Sequence, residues 1–263
     1  MKKGISQEML KLVACLTMLI DHIGYEIIYP IYASIPVTSI GSQQAAGMLH
    51  ALYLLCRSIG RIALPIFAFL LVEGVHHTRD RKRYALRLTT GVLLAEIPYN
   101  LMVSGSISCG QQSVMATLLL GFLAVHYMEK CHTPTMKALT VLPFALLAEV
   151  FRTDYGWTGV VLIAVFELSR QMYAVNLIRT GAMIVLFHYM PSHIFWIGSI
   201  SVPMQVLGAF SMLFISNYDG RKVTKNKAVQ WGFYLFYPVH MLALWAIGTA
   251  LPKILLLGVS VAI

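Results

Sequence analysis

Apolar residues in this chain come in long runs separated by short polar breaks, rather than alternating with polar positions at helical or strand spacing. A stretch such as Met9–Ile20 or Pro65–Val72 has no continuous wet face to offer, so a bilayer is the solvent that suits it. Only 12% of the 263 residues are charged, against about 25% in a soluble domain. The sequence therefore predicts an all-α fold, a polytopic transmembrane helical bundle forming one integral membrane domain over 1–263. About nine spans are expected, at 9–31, 47–73, 85–104, 113–129, 136–151, 156–172, 176–190, 193–216 and 230–251. A tight turn at Met190–His193 would join the seventh and eighth.

A formal charge of +9 invites a nucleic-acid reading, but the placement of the basic residues argues against it. With the N-terminus cytoplasmic and each run flipping the side, the inside segments hold 16 of the 20 Lys and Arg. Arg152 and Lys253 lie outside, and Arg57 and Arg61 fall within a span. That is the topogenic bias of short cytoplasmic loops, and it puts the C-terminus outside. No nucleic-acid partner is expected. Cys15 and Cys56 sit in spans, with Cys109 and Cys131 on opposite sides, so no disulfide framework is expected. The first run, interrupted by Asp21 and His22, reads as a retained span and not as a cleaved leader.

Ionisable side chains at membrane depth cost about 2.5–3.5 kcal/mol each on insertion scales, so those that persist carry information. At about 1.5 Å per residue, Asp21 and His22 on the first span, Arg61 on the second and Glu96 on the third fall at one depth. His240, with Tyr237 three residues before it, lies slightly shallower on the ninth. Pro65, Pro98 and Pro238 stand within four residues of Arg61, Glu96 and His240, where kinked helix is tolerated if it lines a cavity. Together these predict a polar, hydrated cavity near mid-membrane.

Adjacent residues diverge on a helix, so Asp21 is expected to pair with Arg61 or Arg57, which share a face four apart. His22 is left for Glu96 or for the Tyr237–His240 pair. Taken singly, each of these residues has a structural explanation: an Asp–Arg pair that sets helix register, or a histidine capping a carbonyl. Their coincidence at one depth favours function. His76, His77, His126, His132, His188 and His193 fall near span ends or in loops and read as solvated or interfacial. No H-x-x-x-H or H-x-x-E-H spacing occurs, and no metal is expected. A proton-coupled transporter would also place buried charges at one level, though no inverted repeat supports it. A non-catalytic assembly factor for a surface fibre would use them only structurally.

The segments carrying these residues are LKLVACLTMLIDHIGY at 10–25, RSIGRIALPIFAFLLVEGVHHTRDRKRYALRL at 57–88 and AEIPYNL at 95–101. With TLLLGFLAVHYMEK at 117–130, LAEVFRTDYGWTGVVLI at 147–163 and FYLFYPVHMLALWAI at 233–247, they resemble the TraX family over about residues 9 to 250. The resemblance implies a multi-pass protein of the cytoplasmic membrane that moves an acetyl group from acetyl-CoA to an amine or hydroxyl acceptor, such as the N-terminus of a pilin. It implies His22 as the base, Arg61 as the stabiliser of developing negative charge, and His240 with Tyr237 as second base or acid. Asp21 and Glu96 complete the expected site. Arg79, Arg81, Lys82 and Arg83 form the expected phosphate site for CoA, although positive-inside topology alone accounts for such a cluster.

Overall fold

The computed structural model describes residues 4–172, 174–223 and 226–261. The chain opens with α1, Gln7–Ile23, whose N-cap Ser6 hydroxyl accepts the Met9 N–H. It passes without a break through a five-residue π-helical turn, Gly24–Ile28, into α2, Tyr29–Ser34. Gly24 allows the next helix to come close, since a Cβ there would lie 2.7 Å from that of Cys56. α3, Ile40–Gly60, starts from a Ser39–Ser42 capping box and is continued by α4, Ala63–His77.

The joint between α3 and α4 falls at Arg61–Ile62, where the backbone tightens to i→i+3 bonds from Arg61 to Ser58 and from Ile62 to Ile59. Pro65 explains the joint: it cannot donate to the Arg61 carbonyl, and its ring crowds that oxygen. The carbonyl so released faces Gly208, where an added Cβ would lie 3.1 Å from it.

α5, Arg81–Ser104, begins at an Asp80 cap and ends at left-handed Gly105 (φ +66°). Three shorter helices follow: α6, Val114–Met128, α7, Pro134–Val150, and α8, Gly156–Leu168. After α9, Val175–His188, the segment expected to be the eighth span is not one helix. It is an antiparallel hairpin, Ile194–Ile197 with Ile200–Pro203, then a 3-10 turn Met204–Ser211 and one turn of helix, α10, Met212–Ile215. The reason is local. β-branched and aromatic residues favour extended backbone, Gly198 takes the left-handed turn (φ +61°), and Pro203 cannot continue either element as a donor. The all-helical expectation is corrected to that extent. α11, Lys227–Val261, closes the fold.

α4 is the hub. Ala63 to Ile66, Ala68 to Val72 and Val75 are all buried, as expected of a helix apolar all round. It packs among Leu10 and Met18 of α1, Phe122 of α6, Leu162 and Phe166 of α8, and Met183 and Phe187 of α9. Small residues bring α6, α7 and α8 together at Ala124, Ala145, Ala148 and Ala164. Leucines on other faces point outward, among them Leu12, Leu16, Leu55, Leu93, Leu146 and Leu213. So much exposed apolar surface is the mark of a lipid-facing belt. Among the described residues, three stretches, Gln7–Ser34, Ile40–His77 and Ala228–Ala250, are long and apolar enough to cross a membrane. This is a helical membrane protein.

The connections gather at two ends. At one, Ile5 pairs with Tyr218, and His76 of α4 bonds Glu167 of α8 at 2.7 Å and approaches Glu129 after α6 at 3.5 Å. Arg81 grips both oxygens of the same Glu129, and Arg170 reaches Glu73 at 3.3 Å. His76 is thus knitted into an ion network rather than simply solvated. At the other end Gln112 bridges Thr153.

Candidate functional site

Between the two ends, α1, the α3–α4 joint, α5, α11 and the turn before α8 enclose a cavity of about 210 Å³. Asp21 anchors it. One carboxylate oxygen accepts Arg57 Nη1 and the other accepts Arg61 Nη2, both at 2.6 Å. Arg61 is fixed further by Nε donating to the Arg57 carbonyl at 2.9 Å and Nη1 donating to Gln205 at 3.1 Å. The expected pairing of Asp21 with Arg61 or Arg57 therefore involves both.

Gly60 makes this possible: a Cβ there would overlap the Asp21 side chain. Gly60→Ala is expected to displace the carboxylate and destabilise the fold by about 1–3 kcal/mol. Denaturant titration in mixed micelles would read it, and a wild-type unfolding midpoint would count against this packing.

His22 is held by His240, as one of the two expected partnerships had it. The ring nitrogens are 2.7 Å apart, and the rings are parallel to within 5° with centroids 4.9 Å apart. Nitrogens so much closer than ring centres mean that the imidazoles lie edge to edge in one plane, as a strong hydrogen bond requires. His240 Nδ1 stands 2.6 Å from the Phe236 carbonyl, which can only accept. That nitrogen therefore carries hydrogen, and in the neutral ring Nε2 is bare. His22 Nδ1–H then donates to it, leaving the His22 Nε2 lone pair unprotonated. His22 lines the cavity and His240 stands behind it. Tyr237, one turn before His240, also lines the wall.

The structure does not bring Glu96 to this group. Its carboxylate accepts Asn100 at 3.0 Å and Gln112 at 3.2 Å, and Asn100 also receives the Cys109 thiol at 2.8 Å. Nor are the four basic residues one free cluster. Arg81 is bound to Glu129 and Arg83 to Asp80, while Arg79 and Lys82 are exposed.

Sequence reasoning missed Gln205, Asp154 and Tyr155. The last two lie on the turn between α7 and α8, where Arg152 (φ +50°), Tyr155 (φ +64°) and Gly156 (φ +46°) are all left-handed. Strained non-glycine backbone of this kind clusters at functional sites. The turn is pinned by Gln112, whose N–H donates to the Arg152 carbonyl at 3.2 Å and whose carbonyl accepts the Asp154 N–H at 2.7 Å. The Thr117 hydroxyl donates to the Asp154 carbonyl. Burial raises the Asp154 carboxyl above the usual carboxylate range, while nearby Arg61 pulls it back. The buried hydroxyl of Thr153, on this turn, has no hydrogen-bond partner among the described residues. The only sequence signal was the polar break R-T-D-Y-G inside an otherwise apolar stretch.

Fold and site together define a polytopic helical membrane protein with a charged, histidine-bearing cavity between its ends. The chain belongs to the TraX family, whose TraX protein pattern it matches over residues 6–248. It is also 30% identical over 202 residues to the probable fimbrial assembly protein FimC, serogroup H1, of Dichelobacter nodosus, an alignment covering 70% of this chain and 79% of that protein. No solved structure matches it.

Proposed function

We propose that this protein is an acyltransferase of the cytoplasmic membrane that moves an acetyl group from acetyl-CoA to an amine or hydroxyl acceptor, in the service of pilus or fimbrial assembly. The observation that carries this reading is the coplanar His22–His240 pair, with its tautomer fixed by the Phe236 carbonyl. An attacking amine or hydroxyl must lose a proton, and His22 Nε2 offers a lone pair inside the cavity for it. The proton taken up makes His22 Nδ1–H a stronger donor, and His240 Nε2 is placed to accept it and share the charge. Arg57 and Arg61 stand ready for the oxyanion, held in place beforehand by Asp21. As the tetrahedral adduct collapses, the thiolate recovers the proton from His22.

The topology of nine crossings, the eighth made by the hairpin, 3-10 turn and α10 rather than by one helix, with the N-terminus inside, is part of the proposal. It is supported by the basic residues Arg79, Arg81, Lys82, Lys130, Arg170 and Arg221, which fall on connections at the end carrying the His76–Glu129–Glu167 network. At that end Arg79 and Lys82, with Arg81 and Arg83 beside them, are the proposed contacts for CoA phosphates. They lie about 22 Å from the cavity, counted along α4, a reach suited to an extended pantetheine arm. The similarity to FimC supports a pilin or fimbrial subunit as the acceptor.

The test is transfer of radiolabelled acetyl from acetyl-CoA by membranes carrying the protein, with host extract as acceptor, beside Arg61→Ala. Label entering a protein or glycan product, and lost in the variant at equal expression, supports the enzyme. Absence of both label transfer and acetyl-CoA binding overturns it.

A further inference from the structure

One ionisable group within the first span serves neither the ion triad nor the histidine pair. Glu26 lies four residues beyond His22, on the π-helical turn Gly24–Ile28, about 6 Å further toward the outer end. It is half-buried, and its carboxyl has no hydrogen-bond or ion-pair partner among the described residues. Side chains four apart share a helix face, and both of these face α11: His22 meets His240, and Glu26 meets Gly248. A Cβ at Gly248 would lie 2.9 Å from the Glu26 carbonyl and 3.1 Å from its Cγ and Oε1. There α11 offers the carboxyl bare backbone and no cation. The other titratable groups around it are His22, Tyr25 and Tyr29 on its own run of helix, with Tyr53, Cys56 and Arg57 of α3. Arg57 is bound to Asp21.

An ionisable side chain at membrane depth is costly to keep, and nothing beside this one offsets its charge. The ligand that needs no cavity and no further side chain is a proton. Single π turns inside helices recur at functional sites, and this one sets a carboxyl between the histidine pair and the outer end of the first span at Ser34. At the same four-residue steps toward the cytoplasmic end, α1 carries Met18 and Ala14, both buried, which cannot hold a proton. We propose that Glu26 is a proton relay joining the His22–His240 pair to the outer aqueous phase, so that pH on that side, and not on the cytoplasmic side, sets the protonation of the pair. Its consequence for rate rests on the acetyltransfer reading.

The steps balance. When the pair holds an excess proton, the Nε2–H bond of His22 breaks and an O–H bond forms on the Glu26 carboxylate. That O–H bond then breaks, and the proton passes to water at the outer end. The pair is left neutral, with the lone pair that deprotonation of the acceptor requires. A lower outer pH drives the same steps backwards and removes the base.

The experiment uses inverted membrane vesicles carrying the full-length protein, so that the lumen is the outer phase. Host extract trapped in the lumen is the acceptor, radiolabelled acetyl-CoA is in the medium, and impermeant buffers set the two pH values independently. Dicyclohexylcarbodiimide reads Glu26 directly. A protonated carboxyl adds across it, oxygen to carbon and proton to nitrogen, and the adduct rearranges to a stable acylurea, detected by mass in the Glu26 peptide. Raising lumenal pH from about 6 to about 9 is expected to lower this labelling about tenfold or more, and the same change in the medium to leave it within about twofold. Wild-type transfer should rise with lumenal pH, about tenfold per unit on its acidic limb. The isosteric Glu26→Gln should lose that dependence, and Glu26→Asp should keep part of it. Labelling that ignores the lumen or follows the medium overturns the inference. So does transfer that ignores lumenal pH in the wild type, or still follows it in Glu26→Gln. A wild type that transfers no acetyl at any pH counts against the acetyltransfer reading. Labelling then still decides the relay: dependence on the lumen upholds it, and its absence overturns it.

Discussion

His22→Ala is expected to lower acetyl transfer by about 10²–10⁴-fold, the range over which a positioned general base acts, with little change in folded yield. The second half of that expectation follows from the geometry. His22 carries no ion pair among the described residues, and it is held by a hydrogen bond to His240, which keeps its own bond to the Phe236 carbonyl when His22 is removed. The main loss is therefore a lone pair in the cavity. His240→Asn should cost less, because it frees the His22 tautomer without deleting the base. The two losses should not multiply in the double variant, since the residues act as one unit.

The rate of the wild type should rise with pH and level off as the pair becomes neutral. Its apparent pKa belongs to both rings jointly, and a His240 variant should therefore move it. Single-turnover transfer of labelled acetyl, normalised to protein recovered in the monodisperse detergent peak, measures all of this. A His22→Ala protein that retains a rate within a few-fold of wild type removes His22 from the chemistry.

Much of this centre was legible in the sequence because depth along a helix is countable. At about 1.5 Å per residue, Asp21, His22 and Arg61 fall at one level with His240 slightly shallower, and α1, the α3–α4 joint and α11 bring them into a single group. The same count placed Glu96 with them, yet its bonds go to Asn100 and to Gln112 of the following loop. Depth fixes one coordinate of a side chain; its azimuth and its local hydrogen-bond options fix the rest, and those need the neighbouring elements. Asp154 escaped because the count applies only to residues on spans. It sits on a turn between two short helices, α7 and α8, and reaches the cavity through left-handed backbone that no periodicity announces. The 193–216 segment failed differently. Its apolar content met the requirement for a span, but periodicity alone does not separate short apolar strands from helix, and Gly198 and Pro203 decided for a hairpin. What Gly60 and Gly208 do appears only with Asp21 and the freed Arg61 carbonyl beside them.

The other large effect expected is on stability. Asp21→Ala leaves Arg57 and Arg61 facing one another without the carboxylate that joined them, Arg61 almost fully buried. Removing one member of a buried ion group costs about 3–5 kcal/mol, because the remaining charge stays desolvated. Two cations remain here, so the upper half of that range is expected. Arg57→Leu should cost less. Asp21 then still holds Arg61, and Arg57 is the more exposed of the two guanidiniums. The informative protein is the triple variant Asp21→Leu/Arg57→Leu/Arg61→Met. Apolar side chains of similar volume recover much of the stability lost when a buried ion group is broken, so it should unfold nearer to wild type than Asp21→Ala does, while transferring no acetyl. Denaturant titrations in mixed micelles measure the first property, and label transfer the second. That outcome would mean the triad is retained for the charge it presents to the cavity, at some expense in stability. A triple variant as unstable as Asp21→Ala would instead make the ion group the structural clamp between α1 and the α3–α4 joint, with its position beside His22 a consequence of that packing.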